Sequence, residues 1–310
     1  MSSTRNCSDD GEEPFRSIGN ERVRFFDEGY FSSKRLKIKA KNSSGVEFSH
    51  ESELFPKGNM FGYLSTAYKI SNSVSLDKFC IKSDGRIALE AAMKLSDNTK
   101  LTVSAEDSRQ EPGKPLHSFG KLGFLHNVPM FTLSADVDVV NGYQLKSSFI
   151  TKINSLKIGS QVLCRARVDN PAAVYDGVTS TTAASVTTPQ LIDFTFVSSY
   201  NGDGWCASAI TRNCLKSLRI SYIQALSPIV DVGAQIDYGL RVNTHKFNIG
   251  AKMVVDEKSS VKAKLNTDAN FSLSFQQKLS NYASMTVCAE VDASDWSADS
   301  HKFGFGLSFE

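Results

Sequence analysis

The chain has 310 residues, of which 41% are hydrophobic and 22% charged, and its formal net charge is +2. A charge this close to neutral gives no strong single-sign field, so neither a nucleic-acid-binding stripe nor a polybasic membrane arm is implied. The six cysteines are scattered without a CxxC pair, so neither a zinc site nor a disulfide scaffold is predicted.

The amino-terminal part of the chain divides into two segments. Residues 1–14 are polar and acidic, and we expect them to form a disordered tail. They lack the pattern of a secretory signal or a cleaved transit peptide, so we expect the chain to be translated in the cytosol. Phe15, Ile18, Arg22 and Phe25 then recur at three- and four-residue spacing. This spacing predicts an amphipathic helix over residues 15–28, which is too short to cross a bilayer.

From residue 34 to residue 310 the sequence alternates between apolar and polar residues. Leu36, Ile38 and Ala40 alternate with lysines, and the same pattern returns in segments of about ten residues, the length of a tilted transmembrane strand. Turn signals such as residues 42–45 separate the segments. The count is about nineteen strands. Because no apolar run reaches the roughly 18 residues of a spanning helix, any membrane crossing is predicted to use strands.

Alternation alone also fits a soluble all-β protein of two sandwiches. Two features favour a membrane barrel instead: the segments continue without a linker, and their polar face carries ionisable residues in mid-strand, as a water-filled lumen allows. One long interruption, residues 170–189, is rich in Ser, Thr and Ala and is interpreted as an exposed loop insertion.

Both ends of the chain resemble one known family. Residues 15–19 and 25–30, the first predicted hairpin at 36–48, residues 261–266 and the closing strand 301–309 are similar to the mitochondrial voltage-dependent anion channels, or eukaryotic porins. In the closing strand, the spacing of four residues resembles the sorting signal of mitochondrial outer-membrane barrels: Lys302, Gly304, Leu307 and Phe309.

The resemblance implies a nineteen-strand transmembrane β-barrel in the mitochondrial outer membrane, with the amino-terminal helix inside the pore. It implies a voltage-dependent, weakly anion-selective channel that passes ATP, ADP, phosphate and chloride, with no enzymatic activity and no cofactor. The partners implied are membrane lipids, the mitochondrial barrel-assembly machinery, cytosolic kinases and further copies of the chain. Two alternatives stay open: the protein-import pore of the same membrane, and a poorly conducting paralog that acts as a docking scaffold.

Two sets of site residues follow from the alternation and the resemblance. The residues expected to line the pore and set its selectivity are basic, apart from one asparagine: Arg16, Asn20, Arg22, Arg24, Lys37, Lys39, Lys41, Lys100, Arg219, Lys262 and Lys264. The family's proposed nucleotide contacts map to two late strands: Asn270, Phe271, Ser272, Cys288, Ala289, Glu290, Val291 and Asp292.

Some positions depart from the family. Asn20 and Glu28 replace basic helix residues, and Phe79 stands where many relatives hold a membrane-facing glutamate, so selectivity and regulation are expected to differ. No catalytic or metal-binding motif is found, and the five histidines are each expected at a strand end or in a loop.

Overall fold

In the computed structural model of the chain, the structure describes residues 15, 18, 23–107, 118–140, 144–166, 189–241, 244–294 and 301–310. The predicted tail 1–14, most of the predicted helix 15–28 and nearly all of the predicted insertion 170–189 lie outside these residues. Within the helix region, Val23–Asp27 forms one π-helical turn. None of the described helical residues form a helix long and apolar enough to span a bilayer.

Nineteen strands make up the described fold, which confirms the strand count. They are β1 Lys34–Lys41, β2 Glu47–Leu54, β3 Met60–Lys69, β4 Val74–Lys82, β5 Ile87–Ser96, β6 Thr99–Asp107, β7 Phe119–Asn127, β8 Phe131–Asp138, β9 Gln144–Ile153, β10 Leu156–Ala166, β11 Pro189–Gly202, β12 Trp205–Arg212, β13 Ser217–Ser227, β14 Val230–Gly239, β15 Thr244–Val254, β16 Ser259–Asn266, β17 Asn270–Lys278, β18 Ala283–Asp292 and β19 Lys302–Phe309.

The strands form one closed sheet. Each strand pairs antiparallel with the next along the chain, and β1 also pairs with β19. Because an odd number of strands cannot alternate direction all the way round, one pair must be parallel. That pair is β1–β19, with Lys37 opposite Ser308 and Ile38 opposite Phe309. Closure leaves no edge, so every strand has a hydrogen-bonded neighbour on both sides.

The two faces of the sheet differ in chemistry, as the alternation predicted. Ile38, Leu133, Ile236 and Phe305 point outward and each leaves about 40% of its surface exposed. Serines and ionisable residues occupy the other face, including the buried pair Ser208 and Ser221, whose hydroxyl oxygens are 2.7 Å apart. An apolar outer band around a polar interior is the arrangement of a transmembrane barrel.

Aromatic residues form a cluster on the outer face of three neighbouring strands. Tyr200, Trp205 and Tyr222 pack together on neighbouring outer positions of β11, β12 and β13, with ring centroids 5.1 and 5.9 Å apart. Amphipathic rings favour the level of the lipid headgroups, so this cluster fits one interfacial girdle of the barrel.

His50 is an exception to the apolar outer face. It lies in the middle of β2, opposite Ile38 of β1 and Leu64 of β3, both of which point outward. The prediction that every histidine occupies a strand end or loop is therefore wrong for this residue. The sequence misled because Ser49, His50, Glu51 and Ser52 are all polar and do not alternate.

The two faces can be tested by placing the same charge on each side of one strand. We expect Leu273→Arg, on the outer face in the middle of β17, to lower the free energy of unfolding by about 2–4 kcal/mol, because the charge meets hydrocarbon. The matched variant Gln276→Arg places the charge on the exposed inner face and is expected to change it by less than about 1 kcal/mol. Urea-induced unfolding in lipid vesicles measures both; equal losses would contradict the assignment of faces.

Candidate functional site: the inner wall and the amino-terminal segment

The described part of the amino-terminal segment, residues 15, 18 and 23–33, begins against an apolar patch of the inner wall. Ile18 is buried together with Ile150 of β9, Val197 of β11 and Ile210 of β12, and Phe15 packs against them. Gly159 of β10 lies beneath, and a Cβ atom there would come within 2.9 Å of the Ile18 side chain. The wall therefore provides an apolar seat for the segment inside an otherwise polar lumen.

Further along, two aromatic residues fill a depression in the wall. Phe25 and Phe26 are buried and pack edge to face, with ring centroids 4.8 Å apart. They lie over Gly233 of β14 and Gly250 of β15, which are directly paired across the two strands. A Cβ atom at either glycine would approach Phe25 within 2.9 Å, so the missing side chains make room for the rings.

Lysines on β16 then hold the carbonyl end of the π-helical turn. Lys262 Nζ donates to the carbonyl oxygens of Arg24 and Glu28, at 2.7 and 3.3 Å, and Lys264 Nζ donates to that of Phe26 at 3.1 Å. The last carbonyls of a helical turn lack partners within it and carry partial negative charge, so lysine is well suited to this position.

The next two strands bind the point where the segment turns. Ser274 Oγ of β17 donates to the Gly29 carbonyl at 2.8 Å, and Cys288 Sγ of β18 donates to the same oxygen at 2.7 Å. Gly29 has a φ of +89°, a conformation that glycine adopts without strain. Burial raises the pKa of the adjacent Tyr30 phenol, and the Cys288 thiol adds to this shift.

The segment finally crosses β19 and enters β1. The Phe31 backbone passes directly over Gly304, where a Cβ atom would overlap the Phe31 carbonyl. The chain then reaches Ser33, which hydrogen bonds Glu53 of β2, and Arg35, whose guanidinium pairs with Glu53 at 2.8 Å. From Phe25 to Phe31 the segment thus contacts β14 to β19 in chain order. Backbone carbonyl oxygens between Arg24 and Gly29 accept hydrogen bonds from the side chains of Lys262, Lys264, Ser274 and Cys288. We call this set of hydrogen bonds the carbonyl clasp.

The predicted pore-lining residues that the structure describes are on the inner face. The strand positions form one set that shares the inward orientation: Lys37, Lys39, Lys41, Lys100, Arg219, Lys262 and Lys264. Arg24 lines an inner cavity together with Glu28, Asp231 and Lys252. Arg16, Asn20 and Arg22 lie outside the described residues.

Most of these cations are already engaged. Lys41 pairs with Glu47 at 2.7 Å, Lys100 with Asp77 at 2.7 Å, and Lys39 with Glu310 at 3.3 Å. Arg219 Nη2 donates to Asp237 at 3.1 Å. Two further inner-face pairs, Lys82–Glu106 and Lys302–Glu290, were not anticipated from the sequence. The inner wall therefore presents far less free positive charge than a residue count suggests.

The proposed nucleotide contacts are split between the two faces. Asn270, Ser272, Cys288, Glu290 and Asp292 point inward and pair across β17 and β18. The remaining three point outward: Phe271, Ala289 and Val291. Since side chains alternate along a strand, these three cannot contact a solute in the lumen, and Cys288 is already bonded to Gly29.

Ser274 and the paired glycines Gly233 and Gly250 are the site residues that sequence reasoning missed. A glycine in mid-strand can indicate the close approach of another backbone or side chain, so a signal was present. Nothing local identifies the occupant, which comes from the other end of the chain. Among the described residues, no group of His, Cys, Asp and Glu side chains could hold a metal ion.

Comparison with known proteins decides the family. A family model described as "Eukaryotic porin" matches residues 14–304. The chain belongs to the eukaryotic porin family. It is 26% identical to the "Voltage-dependent anion-selective channel" of Drosophila melanogaster, over 96% of this chain and 98% of that protein. It is 24% identical to the "Mitochondrial outer membrane protein porin 4" of Arabidopsis thaliana, over 96% and 97%.

Solved structures add evidence on the fold alone. A triple mutant of Rh. blastica porin superimposes with a TM-score of 0.50 at 8% identity, over 84% of this chain and 99% of that one. As a eukaryotic porin, the chain is a channel-forming protein of the mitochondrial outer membrane and not an enzyme.

The carbonyl clasp predicts a specific loss in this porin. We expect Lys262→Met with Lys264→Met to increase tryptic cleavage in the amino-terminal segment about a hundredfold, since three hydrogen bonds of roughly 1 kcal/mol each are lost. Cleavage of the refolded barrel after Arg22 and Arg24, followed by mass spectrometry, measures the change.

The control replaces two other inner-face lysines, Lys246→Met with Lys252→Met on β15. It removes the same charge but none of the lysine contacts to the segment. An equal increase in both double variants would show that lumenal charge, and not the clasp, restrains the segment.

Proposed function

We propose that this porin is a voltage-dependent, weakly anion-selective channel that passes chloride, phosphate, ADP and ATP across the mitochondrial outer membrane. The observation that carries the proposal is the closed nineteen-strand barrel, whose inner wall is polar and charged while its outer wall is apolar. A strand spacing of about 4.8 Å and a tilt of about 40° give a backbone diameter of roughly 38 Å. Barrels of this size enclose an aqueous passage.

Weak selectivity is supported by the pairing of charges along the wall. A cation paired with a carboxylate contributes little field beyond a few ångströms, because the carboxylate offsets its charge and solvent and salt in the lumen screen what remains. Arg35, Lys41, Lys82, Lys100 and Arg219 are all in such pairs. Ions of both signs can therefore pass, with a modest preference for anions set by the cations that stay unpaired.

Voltage dependence is supported by the amino-terminal segment. It carries charged side chains, among them Arg24 and Glu28, and its contacts with the wall are noncovalent. A membrane potential acts on such charges by about 2.3 kcal/mol per elementary charge per 100 mV, if they cross the whole field. This is similar to the strength of the few hydrogen bonds in the clasp.

The interactions with other molecules belong to the same proposal. Assembly by the mitochondrial barrel-insertion machinery is supported by the inward Lys302 and Gly304 and the outward Leu307 and Phe309, the four residues of the proposed sorting signal. Gly304 also has a packing reason, its contact with Phe31. Binding of cytosolic kinases and association with further copies rest on the family resemblance.

Single-channel recording of the refolded chain in a planar bilayer under a KCl gradient tests the proposal. We expect large conductance steps that close with voltage, and a reversal potential slightly on the anion side. The variant Lys37→Glu with Lys39→Glu and Lys41→Glu reverses three inner-face charges and is expected to move the reversal potential toward cations.

The matched control is the exchange Lys41→Glu with Glu47→Lys. It reverses one ion pair without changing net charge, so the reversal potential should stay unchanged. Silence from a verified barrel would contradict the channel and favour the docking scaffold. An unaltered reversal potential in the triple variant would contradict a role of the three lysines in selectivity.

A further inference from the structure

Three pairs of lysines lie directly opposite each other on the inner face of the described strands. They are Lys94 with Lys100 on β5 and β6, Lys152 with Lys157 on β9 and β10, and Lys252 with Lys262 on β15 and β16. Like charges placed directly across two strands repel each other and destabilise the sheet. Each pair therefore requires a nearby negatively charged or hydrogen-bond-accepting group that offsets the repulsion.

Two of the pairs are offset within the protein. Lys100 forms a salt bridge with Asp77 at 2.7 Å. Lys262 donates to the carbonyl oxygens of Arg24 and Glu28. Lys152 and Lys157, in contrast, have no acidic or carbonyl partner among the residues that the structure describes. Within the described part of the chain, this is the lysine pair in which neither ammonium group has such a partner.

Three neighbouring hairpin turns, those after β5, β7 and β9, lie around Lys152 and Lys157 at one mouth of the barrel. The backbone N–H of Asn127 donates to the Asn98 carbonyl at 2.8 Å, and that of Lys152 donates to the Met130 carbonyl at 3.0 Å. These bonds hold the turns after β5 and β7 and the end of β9 side by side. The pocket between them has a volume of about 420 Å³ and is lined by Asn98, Asn127, Thr132, Lys152 and Lys157.

The Asn127 side chain of this pocket is oriented to donate. Thr132 Oγ1 donates to Asn127 Oδ1 at 2.7 Å, which fixes the orientation of the Asn127 amide and leaves its N–H groups available. Together with two ammonium groups, these N–H donors suit an anion with several acceptor oxygens. Ile18, Val128 and Ile150 line the same pocket and provide an apolar wall.

We propose that Lys152, Lys157 and Asn127 form a binding site for a phosphate group at this mouth of the pore. The group is either free phosphate or the terminal phosphate of a nucleotide. A phosphate group between the two ammonium groups attracts both of them, and this attraction offsets their mutual repulsion. The site deepens the proposed function, on which it rests, because it raises the local concentration of phosphate-bearing anions at the channel entrance.

Binding to the refolded full-length barrel in detergent micelles tests the proposal, with inorganic phosphate and ATP as separate probes followed by the broadening of their ³¹P resonances. We expect Lys152→Gln with Lys157→Gln to weaken binding of ATP, or of both probes, at least tenfold. The matched control, Lys94→Gln with Lys100→Gln, removes the same charge from the same mouth and is expected to weaken binding less than twofold.

The two probes separate the sources of the phosphate group. Lysine-dependent binding of both assigns the site to the phosphate group itself, and lysine-dependent binding of ATP alone assigns it to nucleotides; both results support the site. Equal weakening by the two double variants would overturn it in favour of general lumenal charge, as would the absence of binding by the unmodified chain. The binding assay needs no ion current. A barrel that binds the probes but shows no conductance would therefore contradict the channel proposal and still support the phosphate site.

Discussion

The bilayer offers no hydrogen-bonding partner to the backbone, and the rest of this structure depends on that constraint. A sheet in hydrocarbon must close, because an open edge would leave a row of unpaired N–H and C=O groups. With nineteen strands, closure requires the parallel β1–β19 pair. The same solvent demands an apolar outer row on each strand, and the pleat then directs every second residue into the lumen.

The inner wall of the barrel is complementary in shape to the amino-terminal segment. Gly159, Gly233, Gly250 and Gly304 provide room where Ile18, Phe25 and Phe31 lie against the wall. Lysines that a residue count assigns to ion selection instead bind backbone carbonyls or carboxylates. Selectivity then depends on the few cations without partners, which explains why a charged wall can give only a modest preference for one sign of ion.

Much of the fold is predictable from the sequence, because lipid imposes a strict period of two on residues such as Leu36 and Ile38. His50 escaped prediction, since its neighbours in β2 are all polar and the register that turns it outward is set by β1 and β3. The site was less predictable. The contacts of Lys262 with Arg24 and Glu28 join residues more than 230 positions apart, and no local pattern encodes such pairs.

The closure of the barrel can be tested most directly by disulfide formation across the β1–β19 pair in a background without native cysteines. The account predicts that Lys37→Cys with Ser308→Cys cross-links on oxidation, because the two residues are directly opposed. Lys37→Cys with Gly306→Cys should not cross-link, since a shift of two residues separates the Cα atoms by roughly 8 Å. Cross-linking of the shifted pair alone, or of neither pair in a folded barrel, would contradict the parallel closure.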